Sequence, residues 1–509
     1  MKTFKNRILH FLKINWANLI VFALCFLGGV VILSSYWITK HFEVRDFGQI
    51  LFHLRFPLLG NGVPLVGSYL ISVVLISVII AFCIAWMQLT AKILSKFYSC
   101  CVRAFDRFGD GKTKVFKVAL SLALFALCVN VVVNRFKIKD YLHTQTQYSQ
   151  LYENHYKPFD SANLAGFAPK QNLIIILVES LESNLAAYTS ENGGGSLNLI
   201  PRLQKIANEN VNFSMGSGFG GIKQVFGTGG TINGTTSYLC GIPLNLPIRI
   251  NTFESNKYFL SSATCISDIL HNLGYKQAYF GSQDAKFAGT ENLLKTHKIE
   301  VLDSKYFESK GILPKKLPPS MKGAWGAKDS VIFGFAKDYL NAANKPFALY
   351  ISTLDTHGPQ GFVDKEQCPN LDNSYENAYL CTDKVVSDFI DYLQNSRFKD
   401  NTTIIILGDH LSSAYFIKAP IISRSVYNAF INAKWTKTPT HKLFKGRIIS
   451  HFDITPLILD SLGIRAESFG LGRNPLYGKT LIESAFNIDS FNDELKLRSK
   501  VYDSLWEAK

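Results

Sequence analysis

LIIILVES, at residues 173–180, carries a continuous apolar run up to a carboxylate and a hydroxyl. An unbroken branched run of this length, without alternation, is the pattern of a strand buried on both faces, as parallel sheets require. Three further stretches read with it. TIIILGDH (403–410) repeats the pattern and ends on Asp409 and His410, LYISTLDTH (349–357) ends on His357, and GTGGT (227–231) is a glycine-rich turn closing on Thr231. In open parallel sheets ligands bind beyond the carboxyl ends of the strands, which is where Glu179, His357, Asp409 and His410 fall. A carboxylate, a hydroxyl and an Asp-His pair form a mixed oxygen and nitrogen donor set for a divalent metal. Such a metal would lower the hydroxyl's pKa and bind phosphoryl oxygens.

Each residue also has a plainer reading. Glu179 could cap a helix or join a salt bridge, since a carboxylate at a buried strand end is costly unless paired or metal-bound. Asp409-His410 could be a capping Asp beside a surface His, and His357 a strand-end core histidine. His451, in SHFDITPLILDSLG, could form an N-terminal capping cluster with Asp453. Thr231 has hydroxyl rivals in Thr228, Thr235 and Thr236. Its position after Gly227–Gly230 offers backbone N–H groups and a helix start to an anion. No G-x4-G-K-[ST] is present, which excludes a P-loop.

Outward from these stretches, apolar strands alternate with helical segments. Strands are expected at Asn172–Glu179, Gln277–Gly281, Phe347–Thr353, Thr402–Leu407 and Val426–Ile431. Helices are expected at Ile200–Asn208, Cys265–Leu273, Ser330–Ala342, Glu376–Asn395 and Ile454–Leu462. The pattern predicts an α/β domain over 172–490 with a mostly parallel central sheet. A polar, aromatic connector occupies 137–171, and a charged tail, helical or loose, follows at 491–509.

The first 136 residues differ in kind. Apolar stretches predict about three transmembrane helices at 14–39, 64–90 and 116–134. The net charge of +15 might suggest nucleic-acid binding, but residues 1–140 hold 17 Lys/Arg against 5 Asp/Glu. The basicity therefore belongs to the membrane region, and no nucleic-acid partner is expected. Lys2, Lys5, Arg7 and Lys13 precede the first span, and Lys92, Lys96, Arg103, Arg107, Lys112 and Lys114 separate the second from the third. The positive-inside rule puts both groups in the cytoplasm and everything after Asn134 outside, although Arg135, Lys137 and Lys139 then sit on the outer side. The N-terminal run is too long for a cleavable signal peptide.

Cysteine usage agrees. Cys25, Cys83, Cys100, Cys101 and Cys128 fall in spans or the inner loop, and Cys240, Cys265, Cys368 and Cys381 in the external part. An even number in an oxidising compartment points to disulfides. Proximity favours Cys240–Cys265 and Cys368–Cys381, while connectivity stays open. No C-x2-C spacing supports a cysteine metal site.

These motifs resemble the alkaline phosphatase/sulfatase superfamily, and within it the membrane-anchored phosphoglycerol transferases, including lipoteichoic acid synthases and the transferases that decorate osmoregulated periplasmic glucans. The similarity covers roughly 172–480 and rests on ESLE (179–182), TINGTTSYLCGIPL (231–244), KFAGT (286–290), WGAKD (325–329), DTHGPQGF (355–362), GDHL (408–411) and FGLGR (469–473). It implies that Glu179, Thr231, Asp409 and His410 ligate one divalent metal ion (Mn²⁺, Zn²⁺ or Mg²⁺). It further implies that Thr231 is the nucleophile, forming a phosphoryl-threonine, and that His357 contacts substrate phosphate. Lys286 is the basic residue in the interval where related synthases hold phosphoglycerol, and with His451 it completes the expected substrate-binding set. The C/S-x-P-x-R core of formylglycine sulfatases is absent. The expected protein is a multi-pass enzyme of the bacterial inner membrane with a periplasmic catalytic domain. It would move phosphoglycerol from phosphatidylglycerol to a periplasmic glycan. A phosphoethanolamine transferase or a periplasmic phosphodiester hydrolase of the same superfamily is the alternative; the sequence leaves the oligomeric state open.

Overall fold

The computed structural model describes residues 2–42, 47–48, 50–51, 62–86, 110–164, 167, 171–189, 196–245, 259–323, 325–343, 346–414, 416–417, 419–420, 423–485 and 487–507. Parts of the second expected span (87–90), Lys92, Lys96, Arg103, Arg107, Cys100 and Cys101 lie outside these residues. The chain divides into two compact units, one of residues 1–50 and 61–142, the other of 51–60 and 143–509.

The first unit holds α1 (Lys2–Phe42), α2 (residues 62–85, with a π-helical stretch at Leu70–Leu75) and α3 (Asp110–Arg135). Asn15–His41, Val66–Ala85 and Lys114–Arg135, of 27, 20 and 22 residues, are long and apolar enough to cross a membrane. Their polar side chains find one another, as a hydrocarbon setting demands. Ser34 and Tyr69 share a hydroxyl hydrogen bond of 2.9 Å, Trp37 Nε1 donates to Ser68 Oγ at 3.1 Å, and Arg135 lies 4.2 Å above the Tyr36 ring.

In the second unit, seven strands form one sheet: β1 (Asn172–Val178), β2 (Gly221–Ile222), β3 (Lys276–Gly281), β4 (Glu300–Asp303), β5 (Phe347–Ser352), β6 (Thr402–Gly408) and β7 (Val426–Ile431), in the order β2-β7-β6-β1-β5-β3-β4. β6, β1, β5, β3 and β4 run parallel, while β7 pairs antiparallel with β6 and with β2. The expected mostly parallel α/β sheet is present.

The continuous apolar runs make sense in this sheet because both faces are covered. Alternate residues of β1 enter different cores, Leu173, Ile175 and Leu177 on one side and Ile174, Ile176 and Val178 on the other. The first face packs α5 (Thr231–Cys240), α6 (Ile266–Asn272) and α9 (His451–Ser461); the second packs α4 (Pro201–Glu209), α7 (Asp329–Ala342) and α8 (Tyr375–Gln394). The C-terminal residues form α10 (Ile488–Lys496) and α11 (Lys500–Ser504). They are not loose: Phe491, Leu495, Tyr502, Leu505 and Trp506 are buried in the first core. Disulfides join Cys240 to Cys265 and Cys368 to Cys381.

Candidate active site

Register builds the site. Val178 of β1 pairs with Gly408 of β6, so the next residues, Glu179 and Asp409, leave adjacent parallel strands side by side. β1 stops at Val178, one residue earlier than expected, because Ser180 takes a left-handed conformation (φ 55°) that turns the chain out of the sheet. The Leu181 backbone then crosses so near β6 that a Cβ on Gly408 would stand 1.9 Å from the Leu181 carbonyl oxygen.

Glu179, Asp409 and His410 are all buried, and one ligand atom from each lies within 4.8 Å of the others. His410 Nδ1 is hydrogen-bonded to its neighbour's carbonyl (Leu411 O, 2.9 Å), which leaves the Nε2 lone pair facing the carboxylates. Nε2 lies 3.4 Å from Glu179 Oε1 and 3.6 Å from Asp409 Oδ2. Donor atoms 2.0–2.2 Å from one tetrahedral metal sit about 3.3 Å apart, so this spacing fits a shared ion. Asp409 Oδ1 is occupied by the Ser180 and His410 backbone N–H groups at 2.7 and 2.8 Å, whereas buried Oδ2 has no hydrogen-bond partner among the described residues. A buried carboxylate oxygen left in this state is what a cation would satisfy.

Electrostatics agree. Burial and the Glu179 carboxylate push Asp409 up to about 7, against the pull of His410 and the Ser180 amide. The Thr231 hydroxyl offsets part of that rise, but its hydrogen bond runs to Glu179. For Glu179, burial is outweighed by the His410 and His357 imidazoles and by hydrogen bonds from His410 and Ser180, which hold its carboxyl below the usual range. Two carboxylates buried this close to one another separate their proton affinities in this way.

Thr231 is the first residue of α5. Its Oγ1 donates to Glu179 Oε2 at 3.1 Å. The rival hydroxyls are engaged elsewhere or enclosed. Thr228 Oγ1 donates to Val225 O and accepts from Val225 N–H, closing its own turn, and Thr235 Oγ1 donates back to Thr231 O. Thr236 is fully buried.

His357 follows β5 in a half-buried position, with Nδ1 on Gly358 O at 2.8 Å. Its loop is tied to Glu179: the Glu179 N–H donates to Thr353 Oγ1 at 3.0 Å, and Thr356 Oγ1 donates to Glu179 O at 2.5 Å. Lys286 is exposed on the loop after β3, two strands from β1. His451 was expected to touch substrate. It is fully buried instead, stacked on Tyr238 at 5.0 Å, with Nε2 on Asp409 O at 3.0 Å. That is the place of a support for the Asp409 backbone, and burial holds its imidazole down at about 3, in the neutral form. Two contributors escaped the sequence reading of single residues. Ser180 Oγ donates to Glu179 Oε1 at 2.6 Å, and Trp325 packs edge-on against His357 with centroids 5.1 Å apart. Only their places in the ESLE and WGAKD stretches marked them.

A covered parallel sheet with an acid, a hydroxyl and an Asp-His pair at its carboxyl edge defines an alkaline phosphatase-like domain. The sulfatase family matches residues 171–464, more than half of the chain, and the chain belongs to that family. The superfamily resemblance read from the motifs is thereby confirmed. Phosphoglycerol transferase I of Xanthomonas campestris pv. campestris (strain B100) is 29% identical over 376 residues, covering 71% of this chain and 48% of that protein. Phosphoglycerol transferase I of Salmonella choleraesuis (strain SC-B67) is 29% identical over 331 residues, covering 63% and 41%. The chain spans about half the length, or less, of these curated relatives. Among solved structures, a lipoteichoic acid synthase from Listeria monocytogenes aligns with a TM-score of 0.43 and 17% identity over 66% of this chain and 81% of that one.

Proposed function

We propose that this chain is a membrane-anchored, metal-dependent transferase that moves phosphoglycerol from phosphatidylglycerol to a periplasmic glycan, with Thr231 as the covalent nucleophile. The observation that carries the reading is the Thr231 hydroxyl on Glu179 Oε2 at a helix start, inside the Glu179, Asp409 and His410 cluster. Similarity to proteins named phosphoglycerol transferase I supports the choice of transferred group.

Glu179, Thr231, Asp409 and His410 would hold the metal, Mn²⁺, Zn²⁺ or Mg²⁺. When bound, it supplies Lewis acidity that makes the threonine hydroxyl nucleophilic and neutralises phosphoryl charge. The chain's own residues do the rest. Glu179 Oε2 holds the Thr231 hydroxyl proton, and the N–H groups of the first turn of α5 face incoming phosphoryl oxygens. His357 contacts the phosphate from the neighbouring loop, while Lys286 lies on the same edge of the sheet for the headgroup. Thr231 Oγ bonds to phosphorus as the diacylglycerol oxygen leaves and takes a proton. A glycan hydroxyl then bonds to the same phosphorus, gives up its proton, and returns Thr231. The three apolar helices give the catalytic unit a lipid donor at hand, with that unit in the periplasm and the helices in the inner membrane.

Incubating the full chain in detergent with phosphatidylglycerol and mapping the Thr231 peptide by mass spectrometry tests this. A glycerophosphoryl adduct is expected. Adduct formation only from phosphatidylethanolamine would make it a phosphoethanolamine transferase, and turnover without any acceptor would make it a hydrolase.

A further inference from the structure

A second set of buried charges lies beside the ligand cluster and takes no part in it. Lys328, Asp329 and Ser330 open α7; Asp355 and Asp364 belong to the segment that follows β5. Asp329 Oδ1 accepts the Leu354 N–H at 2.7 Å and the Ser282 hydroxyl at 3.1 Å, and Oδ2 accepts the Asp355 N–H at 3.0 Å. Asp355 Oδ2 in return accepts the Asp329 N–H at 3.0 Å. At the other end of the segment, Asp364 takes Lys328 Nζ at 2.7 Å and Ser330 Oγ at 2.6 Å.

His357 sits between these two attachments. Its N–H donates to Leu354 O at 3.0 Å, the residue whose own N–H is held by Asp329. Trp325 closes the remaining side: its Nε1–H donates to Gly358 O at 3.3 Å while its ring meets the imidazole. Burying three carboxylates and an ammonium costs more than filling the same space with apolar groups, and it yields a fixed geometry rather than extra stability. Burial pushes the Asp329 carboxyl up to about 6 and Asp355 well above its ordinary range, so part of that cost is carried by the folded state.

We propose that residues 325–330 are a positioning element for His357. Asp329 and Lys328 pin the two ends of its loop, and Trp325 sets the imidazole against the edge of the sheet where Glu179 stands. The inference rests on the reading of His357 as the phosphate contact. It adds that this contact is oriented from outside the site, by residues that touch neither metal nor substrate. The same loop is bonded to Glu179 through Thr353 and Thr356, so its placement is shared by imidazole and carboxylate.

The test compares the full chain in detergent micelles with its Asp329→Asn, Lys328→Met and His357→Ala variants. The measurements are kcat and KM for diacylglycerol release, metal content, and the rate at which diethyl pyrocarbonate acylates the His357 peptide, with exposed His441 as internal reference. Asp329→Asn is expected to lower kcat/KM about ten- to a hundred-fold, as loss of an orienting partner does, and to change the His357 acylation rate severalfold. Metal content and the His441 rate should stay as in the parent. A folded Asp329→Asn protein with the parental His357 rate overturns the proposal, whatever its kinetics, because a loss of activity would then be structural. Should that variant fail to fold, Lys328→Met decides on the same two readings. Parental turnover in His357→Ala would instead remove the phosphate-contact reading, and the acylation rates would still decide whether residues 325–330 orient the ring.

Discussion

Gly234 of α5 presses on Asp409 so closely that a Cβ there would stand 2.1 Å from the Asp409 carbonyl oxygen. Thr231, Gly234 and Tyr238 are spaced to share one face of the helix. Thr231 reaches Glu179, Gly234 abuts Asp409, and Tyr238 donates its hydroxyl to Gly408 O at 2.6 Å. His451 donates to the same Asp409 carbonyl from α9. α5 and the Asp409 segment are thus held in register by one close backbone contact, at Gly234, and by the side-chain hydrogen bonds of Thr231 and Tyr238 on either side of it.

Gly234→Ala should therefore wedge α5 away from β6. Overpacking costs about 1–3 kcal/mol, of which the better helix propensity of alanine returns about 1. The protein should fold, yet diacylglycerol release should fall at least about ten-fold, since an ångström of displacement is felt strongly in a pre-organised site. Parental turnover in this variant would show that the contact does not set the site.

Ser180 joins two members of the cluster, its hydroxyl on Glu179 and its N–H on Asp409. Ser180→Ala should weaken metal binding about ten- to a hundred-fold, the usual effect of losing an outer-shell partner. Asp409→Asn and Glu179→Gln should lose the metal outright. Calorimetric titration of the metal-free protein reads all three, and unchanged metal content in both ligand variants would remove the assignment.

The sheet and the cluster of Glu179, Asp409 and His410 at its edge were legible because both are local in sequence. β1, β5 and β6 are built on unbroken apolar runs and β7 on one broken only by Asn428, and Glu179, His357 and Asp409-His410 are simply what comes next along the chain. β2, two residues long, and β4, which begins Glu-Val, carry no such signal and exist through pairing with neighbours. The tail's charge hid its role, because Phe491, Leu495, Tyr502 and Trp506 are scattered among exposed polar residues and become a face only once folded. His451 misled for a related reason. A histidine that opens an apolar helix looks the same in sequence whether it faces a ligand or the back of a strand end. Asp329 and Ser180 act through tertiary hydrogen bonds that no spacing announces.

The two disulfides should be found by non-reducing peptide mapping as Cys240–Cys265 and Cys368–Cys381. The first ties the end of α5 to the start of α6. Replacing Cys240 and Cys265 together by serine should destabilise the catalytic unit by on the order of 2–4 kcal/mol in denaturant unfolding. Four reduced thiols in protein recovered from the native membrane would contradict both the pairing and the proposed outward placement of this unit.

Thr231→Ala is the decisive substitution. A threonine hydroxyl is a poor nucleophile at neutral pH, and this one has an acceptor, Glu179 Oε2, and a helix start arranged around it. Removing the hydroxyl should abolish both the covalent adduct and diacylglycerol release while most of the bound metal remains, because Glu179, Asp409 and His410 still converge. Thr235→Ala removes only a bond back to Thr231 O within the helix and should keep most activity. Thr228→Ala opens the Val225 turn and should lower stability more than chemistry. The discriminating measurement is single-turnover adduct formation followed by peptide mass mapping. Turnover that survives in Thr231→Ala and disappears in Thr228→Ala or Thr235→Ala would move the nucleophile to that neighbour. Loss of adduct in Thr231→Ala with bound metal retained would separate the nucleophile's role from that of a mere ligand.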